Sequence, residues 1–193
     1  AADPGMIICK PTNAEGSWMV WHKDLPASPN AGSSPWLVLN DTDSRSFGPV
    51  SDPYPISNVT DTSFTVTYSG TFDSNSVNKG GQQYIAYLWA ADTANVIKCG
   101  TYNGNNTTSN VATGFDTQWV LIKNTTTRSN WSIYDDKRGA NAALNPNLST
   151  TENNVPCTLS STGFTVTGGS DAVNALGSQY IYVAIAAPPP PAA

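Results

Sequence analysis

The sequence predicts an all-β protein made of two tandem β-sandwich repeats of the jelly-roll type, with almost no helix. Short apolar runs alternate with turns rich in Gly, Pro and Asn, and no stretch has the three-and-four apolar spacing of an amphipathic helix. In addition, Phe-Thr-Val-Thr occurs at residues 64–67 and again at residues 164–167. An identical strand-like stretch at two places indicates an internal duplication.

The repeat extends over four blocks that occur in the same order in each half of the chain. An apolar run ending in Lys comes first, and a Trp stands eight residues after each of these lysines, at Trp18 and Trp131. The Phe-Thr-Val-Thr block follows, and then a strand with Val, Asn, Gly, Gln, Tyr and Ile at matching places. The paired blocks are residues 6–10 with 119–123, 18–21 with 131–134, 64–67 with 164–167, and 77–86 with 173–182.

These blocks divide the chain into two predicted domains. We expect residues 1–94 to form the first repeat, residues 95–187 the second, and residues 188–193 a Pro-rich linker stub. Each half has its own Trp, Tyr and Phe residues, so each is able to bury a small core. The alternative is that both halves pair edge to edge and form one pseudo-symmetric sandwich.

The predicted strands of the first repeat are short and separated by polar turns. They cover residues 5–10, 17–21, 36–39, 56–59, 64–68 and 84–91. Phe, Val and Tyr alternate with two Thr in residues 64–68, which is typical of a strand with one face in water. Residues 84–91 are apolar at odd and even positions, so we expect this strand to be buried on both sides. The Pro-rich stretches 26–35 and 48–55 predict loops.

The second repeat has the same kinds of strand and turn. Residues 95–102 start this repeat, and its predicted strands cover residues 119–123, 131–134, 156–159, 164–167 and 180–187. Asn103 and Gly104 form a strong turn signal, and residues 105–110 predict a polar loop. Residues 139–154 have little apolar content and predict an irregular segment.

Charge and composition exclude several classes of partner. Charged residues make up 12% of the chain and its net charge is −5, so it lacks the basic patch that nucleic acid or an anionic membrane requires. No apolar run approaches the ~20 residues of a membrane-spanning helix, which predicts no membrane insertion. Lys137 and Arg138 form the one basic pair and follow two aspartates, so we expect a solvated turn there.

His22 and the cysteines are the first candidates for chemistry. His22 is the only histidine, and its counterpart in the repeat is Asp135, so a surface or strand-end histidine is favoured over a catalytic one. The three cysteines are odd in number and far apart in sequence, which predicts neither a disulfide framework nor a metal motif. Cys9 aligns with Ile122, and we expect it to be a small core residue.

Carboxylate pairs are the second candidates. Asp41 with Asp43 and Asp135 with Asp136 both lie in polar turns, where Asp is ordinary. A calcium site that adds Asn40 to the first pair is disfavoured, because the loop lacks the glycine and distal Glu of a calcium-binding loop. We therefore predict a non-enzymatic protein with no catalytic, cofactor-binding or metal-binding residues.

The order of motifs resembles a repeat module of virion proteins from tailed marine bacteriophages. Its features are a strand ending in Ile-Lys, a Trp-containing strand, a turn ending in Arg-Gly, a Gly-Phe-Thr-Val strand and a final Tyr-Ile-aromatic strand. Residues 99–184 match best. The first half lacks the leading Gly-Thr-Tyr-Asn-Gly segment, so it has diverged or lacks sequence before Ala1. The resemblance implies a non-enzymatic virion protein from the tail fibre, the tail or the particle surface.

The composition of the surface also suggests a ligand. Aromatic rings among neutral amides and hydroxyls suit sugar binding, and Tyr54 and Tyr102, placed in turns, are the predicted exposed rings. We expect a multi-copy or homo-oligomeric virion protein that contacts other virion proteins and the host surface through glycans, as a tail-fibre adhesin does. The alternatives are a decoration protein that contacts only virion proteins, or an extracellular carbohydrate-binding module of a secreted bacterial protein. The sequence identifies no ligand-binding residues.

Overall fold

The computed structural model describes residues 3–26, 35–47, 55–68, 70 and 77–188. Within these residues the chain forms strands and no α-helix, which confirms the predicted all-β class. The strands are β1 (Pro4–Pro11), β2 (Met19–His22), β3 (Pro35–Val38), β4 (Ser46–Phe47), β5 (Ile56–Ser57), β6 (Thr65–Val66), β7 (Tyr84–Ala90), β8 (Asp92–Thr93), β9 (Ile97–Asn103), β10 (Thr108–Ala112), β11 (Thr117–Asn124), β12 (Ser132–Asp135), β13 (Ala142–Ala143), β14 (Asn153–Asn154), β15 (Cys157–Ser160), β16 (Gly163–Thr167) and β17 (Gln179–Ala186). No helix in this described part is long and apolar enough to cross a membrane.

Two five-stranded antiparallel sheets form the centre of the fold. The first central sheet has the order β4-β3-β2-β1-β7, and the second has the order β12-β11-β17-β9-β8. A three-stranded sheet of β10, β16 and β15 and the pairs β5-β6 and β13-β14 complete the described strands. None of these sheets closes into a barrel, and the arrangement is consistent with a β-sandwich fold.

The aligned blocks of the two halves pair in the same register. In the first half Ile8 of β1 lies opposite Tyr87 of β7, and in the second half Leu121 of β11 lies opposite Val183 of β17. Both pairs of strands contain one irregularity at the same place, after Pro4 and after Thr117. The same three-strand unit, β2-β1-β7 or β12-β11-β17, is therefore built twice.

Hydrogen bonds outside the strands repeat as well. The backbone N–H of Trp18 donates to Asn40 Oδ1 at 2.8 Å, and that of Trp131 donates to Asn147 Oδ1 at 3.1 Å. The hydroxyl of Tyr84 accepts from the N–H of the residue five positions before it, at 3.2 Å, and the hydroxyl of Tyr180 does the same at 2.9 Å. The two halves thus share turn geometry in addition to strand order.

The two halves meet face to face through a shared apolar core. The first central sheet contributes Met6, Ile8, Val20 and Leu37, and the second contributes Cys99, Leu121, Ile181 and Val183. The opposite face of the first sheet packs on Ile56 and Val77, and the opposite face of the second sheet packs on Phe164 and Val166. Each half therefore has apolar residues buried on its outer layer, and the two central sheets also stack on each other through a shared core.

Two sequence predictions about strands are wrong. The apolar pattern of residues 84–91 predicts burial on both sides, but β7 ends its sheet among the described strands, and Ile85 and Leu88, on opposite faces, are 41% and 53% exposed. The polar composition of residues 105–110 predicts a loop, but β10 begins at Thr108, where its polar residues pair with β16. The Pro-rich stretch 48–55 lies almost wholly outside the described residues.

Lys123 is completely buried where the halves meet, although it occupies the end of a central strand. Its Nζ donates to the carbonyl oxygens of Thr42 and Ser129 and lies 5.9 Å from the centre of the Trp131 ring. Burial lowers the pKa of Lys123 to about 8, although Asp41 and Asp43 act in the opposite direction. The amino group therefore gives up its proton more readily in the folded chain than in the unfolded chain.

This buried amino group predicts a rise in stability with pH. The unfolded chain binds more protons between the folded pKa of about 8 and the ordinary lysine pKa of 10.5, so the contribution of Lys123 is full above that window and is lost as the pH falls through it. Relative to a Lys123→Met variant, the unfolding free energy of the natural chain should rise by about 2 kcal/mol from pH ~7 to pH ~10. Urea unfolding of both chains at the two pH values measures this difference, and parallel pH profiles would contradict it.

Candidate functional site

His22 is a structural residue of the boundary between the halves. Its side chain is 1% exposed, its Nδ1 accepts the backbone N–H of Asp24 at 3.1 Å, and its Nε2 lies 3.1 Å from the carbonyl oxygen of Tyr182. Because Nδ1 accepts, the proton resides on Nε2 and is donated to Tyr182. Asp135 accepts the N–H of Lys137 in the same way. The two aligned residues therefore both stabilise the turn that follows β2 or β12. His22 ends β2, in agreement with the predicted strand-end position, but it is buried and not at the surface.

Asp41 and Asp43, the first carboxylate pair, stabilise the turn in which they lie. Asp41 Oδ1 accepts the backbone N–H of Thr42 at 2.6 Å, and Asp43 forms an ion pair with Arg128 at 2.9 Å. The amide oxygen of Asn40 is occupied by the N–H of Trp18. Among the described residues, no group of three His, Cys, Asp or Glu side chains lies close enough together to hold a metal ion.

Arg138 differs from the solvated turn predicted for the basic pair. Its guanidinium donates to Asp135 at 2.6 Å and to the carbonyl oxygens of Ala142 and Ile133 at 3.1 and 3.2 Å, and its side chain is only 18% exposed. Lys137 is exposed and pairs with Asp136. Arg138 therefore joins the turn to the neighbouring strands, while Lys137 is solvated.

The cysteines are buried and unpaired. Cys9 packs with Ile7 and Met19, as expected for a core residue. Burial raises the pKa of Cys9 to about 11 and that of Cys99 to about 12. Thiols in this state are protonated near neutral pH and are poor nucleophiles.

Tyr102 is not the exposed turn residue that the sequence predicted. It lies in β9, its ring stacks on Tyr180 with centres 4.9 Å apart, and its hydroxyl donates to the carbonyl oxygen of Val173 at 2.7 Å. Both polar and aromatic groups of this side chain are thus engaged inside the fold. Tyr54, the other predicted ring, lies outside the described residues.

A polar groove of about 740 Å³ runs between β9 and β10. Amide and hydroxyl side chains line it, among them Thr101, Asn103, Thr108 and Ser109, with Lys23 and Asp92 also present. Some of these side chains already form hydrogen bonds within the fold, since the Ser109 hydroxyl donates to Asn174 Oδ1 at 3.0 Å. The groove offers neutral hydrogen-bonding groups, and the rings of its two tyrosines, Tyr102 and Tyr182, pack edge-on against Phe164.

The second surface is an apolar groove of about 290 Å³, here called the aromatic groove. It is lined by Met6, Ile8, Trp18, Leu39, Tyr87, Trp89, Trp119, Leu121, Ile133 and Pro146. The rings of Trp18 and Tyr87 stack with centres 6.3 Å apart, and the ring of Trp89 lies 6.4 Å from Tyr87. Both halves contribute to this groove, so it is a continuation of their shared core to the surface.

The position equivalent to the aromatic groove is filled on the other side of the shared core. Trp131, the counterpart of Trp18, is 1% exposed and donates its indole N–H to the carbonyl oxygen of Val38 at 2.9 Å. Leu37, which pairs with Val20, is 1% exposed, but its counterpart Leu144, which bridges to Ile133, is 37% exposed. The same framework thus covers one tryptophan and leaves the other at an open groove.

Sequence reasoning found the tryptophans but missed the groove. The alignment of Trp18 with Trp131 was available from their spacing after Lys10 and Lys123, and both lysines lie 5.9 Å from the ring of their tryptophan. Spacing alone does not show which copy is covered, because the covering residues come from the other half.

Comparisons with known proteins add a family but no function. Residues 1–189 match the model of a family described as a domain of unknown function, DUF7483. No curated protein and no solved structure matches the chain.

The burial of His22 predicts loss of stability in acid. Burial lowers its pKa to about 4, against the opposing effects of Asp24 and the Tyr182 carbonyl. The unfolded chain takes up a proton from about pH 6.5 downwards, so this contribution is present above pH 6.5 and is lost towards pH 4. Relative to His22→Asn, which keeps an acceptor for the Asp24 N–H, the natural chain should lose about 3 kcal/mol of unfolding free energy between pH ~7 and pH ~4. Chemical unfolding tests this, and equal losses in both chains would refute it.

Proposed function

The chain belongs to the DUF7483 family, whose description assigns no activity, and we propose that it is a non-enzymatic structural protein of a bacteriophage particle that binds another particle protein. The aromatic groove is the observation that carries this proposal. The groove is nearly devoid of polar atoms and is formed by both halves of the chain. A partner that inserts an apolar side chain there would remove tryptophan and tyrosine surface from water.

The chemistry of the groove favours a protein partner over a sugar. A sugar site requires an exposed ring face beside neutral hydrogen-bonding groups, because the ring covers the apolar sugar face and the polar groups bind its hydroxyls. Here the two requirements are separated: the exposed rings lie in the aromatic groove, and the amides lie in the polar groove along β9. Apolar complementarity is the feature of a protein interface core.

The apolar surface continues from the groove onto β7. Tyr87 and Trp89 belong to both, and Ile85 and Tyr87, which share this face of β7, are 41% and 43% exposed. Adjacent exposed apolar residues mark interaction sites on soluble proteins more often than isolated ones do. The groove and strand β7 therefore form one surface, here called the groove–β7 surface.

The virion setting comes from the motif resemblance and fits the composition. Only 12% of residues are charged, so specificity must come from shape and apolar contact rather than from a charged patch. On a particle with many copies, weak contacts at each copy add up through multivalency. An extracellular setting is the alternative.

A second candidate function is adhesion to host glycans, as in a tail fibre. The polar groove favours it, because Asn103 and Thr108 present neutral donors and acceptors along an open surface. On a glycan array, this candidate predicts binding that Asn103→Ala weakens and Tyr87→Ser leaves unchanged.

Binding to particles tests the protein-contact proposal. The purified chain should co-sediment with virus particles that have been stripped of this protein. Tyr87→Ser should weaken this binding by about tenfold or more, since it removes a central ring of the interface. Leu176→Ser is the matched control, because Leu176 is 75% exposed and lines neither groove. Full retention of Tyr87→Ser, or hydrolysis of a polysaccharide by the purified chain, would contradict the proposal.

A further inference from the structure

We propose that the outer edge of β7 binds an extended segment of a partner chain, which adds an antiparallel strand to the first central sheet. The inference rests on the proposed protein-contact function and specifies how the partner is recognised. The evidence is the difference between β7 and its counterpart β17, which occupy the same place in two equivalent sheets.

The backbone of β7 has hydrogen-bonding groups available at its outer edge. The N–H of Thr12 donates to the carbonyl oxygen of Gln83, so the hydrogen-bonded pairs with β1 continue at alternate residues, through Ile85 and Tyr87. The N–H and C=O groups of the residues between them point away from β1. These are the groups of Tyr84, Ala86 and Leu88, and no strand in the described part of the chain pairs with them.

The counterpart strand, β17, shows how the same edge pairs with a further strand. β17 also pairs with β11 on one side, but on its other side it pairs with β9. There Tyr180 lies opposite Tyr102, Tyr182 opposite Gly100, and Ala184 opposite Lys98. The equivalent residues of β7 are Tyr84, Ala86 and Leu88, the same three whose backbone groups face outward. Among the described strands, none lies beyond β7, whereas β9 and then β8 lie beyond β17.

Side chains of β7 are more exposed than their counterparts in β17. Ile85 is 41% exposed and its counterpart Ile181 is 1% exposed, while Leu88 is 53% exposed and its counterpart Ala184 is fully buried. β7 also carries no charged residue and no proline, the usual protection of edge strands against pairing. An added strand would pair the outward backbone groups and cover the apolar side chains together.

The structure specifies the chemistry of the added strand. Gly100 of β9 lies opposite Tyr182. A Cβ atom at Gly100 would lie 2.6 Å from the Tyr182 hydroxyl oxygen, so the tyrosine leaves no room for a side chain there. In β7 the equivalent of Tyr182 is Ala86, so space is available for a large apolar residue of the partner. Two copies of β7 pairing about Ala86 would place alanine against alanine and leave that space unfilled. A partner segment with a large residue at this point is therefore favoured over a second copy.

A synthetic peptide with the sequence of residues 95–105 provides the probe, with Cys99→Ser to prevent oxidation and Gly100→Leu to fill the space at Ala86. We expect this peptide to bind the full chain and to slow amide hydrogen exchange at Tyr84, Ala86 and Leu88 by about tenfold or more. The peptide with Gly100 retained should bind more weakly, and a Gly100→Pro peptide should not bind. Absence of slowed exchange at these three amides would overturn the proposal.

Two variants of the chain complete the test. Ala86→Pro removes only an outward N–H, a position where an edge strand accepts proline, and Leu88→Lys places a charge on the edge without touching the ladder to β1. Both should abolish peptide binding while thermal unfolding shows a folded chain. Dimerisation of the natural chain that either variant abolishes would overturn the proposal in favour of a second copy.

The strand inference and the protein-contact function fail in different ways. If peptide binding fails while Tyr87→Ser still weakens particle binding, the strand inference is wrong and the protein-contact function stands. If the peptide binds while Tyr87→Ser leaves particle binding unaffected, the protein-contact function is wrong and strand addition to β7 stands.

Discussion

The contact between the two central sheets is the interaction on which the rest of the structure depends. It joins apolar side chains of both halves, among them Ile8 and Val20 on one side and Leu121 and Val183 on the other. Because each sheet also packs on a second layer, its central strands are apolar on both faces. Polar side chains at this boundary, such as Lys123 and His22, are consequently buried, and each has one backbone carbonyl of the opposite half and one backbone group of its own half as partners.

Equivalent strands in the two halves have unequal surroundings, and the difference produces the groove–β7 surface. β17 is central because β9 covers its outer edge, whereas β7 ends its sheet among the described strands. Trp131 is covered by β3, whereas Trp18 lines the aromatic groove. The covered positions show which contacts the framework accommodates, since β9 of the second half covers β17 and β3 of the first half covers Trp131. The open positions lie together on one surface, which is why we attribute binding to it.

The sequence determined the framework well because strand identity is a local property. The spacing from Lys10 to Trp18 aligned the halves in the register that the central strands have, and the Phe-Thr-Val-Thr repeat places Val66 opposite Ile56 and Val166 opposite Cys157. Exposure was predicted poorly because it depends on neighbours distant in sequence. The apolar residues of β7 indicated burial, yet no described strand covers them, and the position of Tyr102 before a turn indicated exposure, yet it stacks on Tyr180. The alignment of His22 with Asp135 argued against a catalytic histidine but did not show its role, which is to accept a backbone N–H in the turn after the strand, as Asp135 does.

An electron cryo-microscopy map of the particle that carries this chain tests the central claim most directly, since it shows the groove–β7 surface with its natural neighbours. The account predicts density for an extended segment beside β7, in antiparallel register with Ala86, and a side chain of a neighbouring protein against Trp18 and Trp89. A map in which this surface faces solvent in every copy would contradict the account, as would the absence of the chain from the particle.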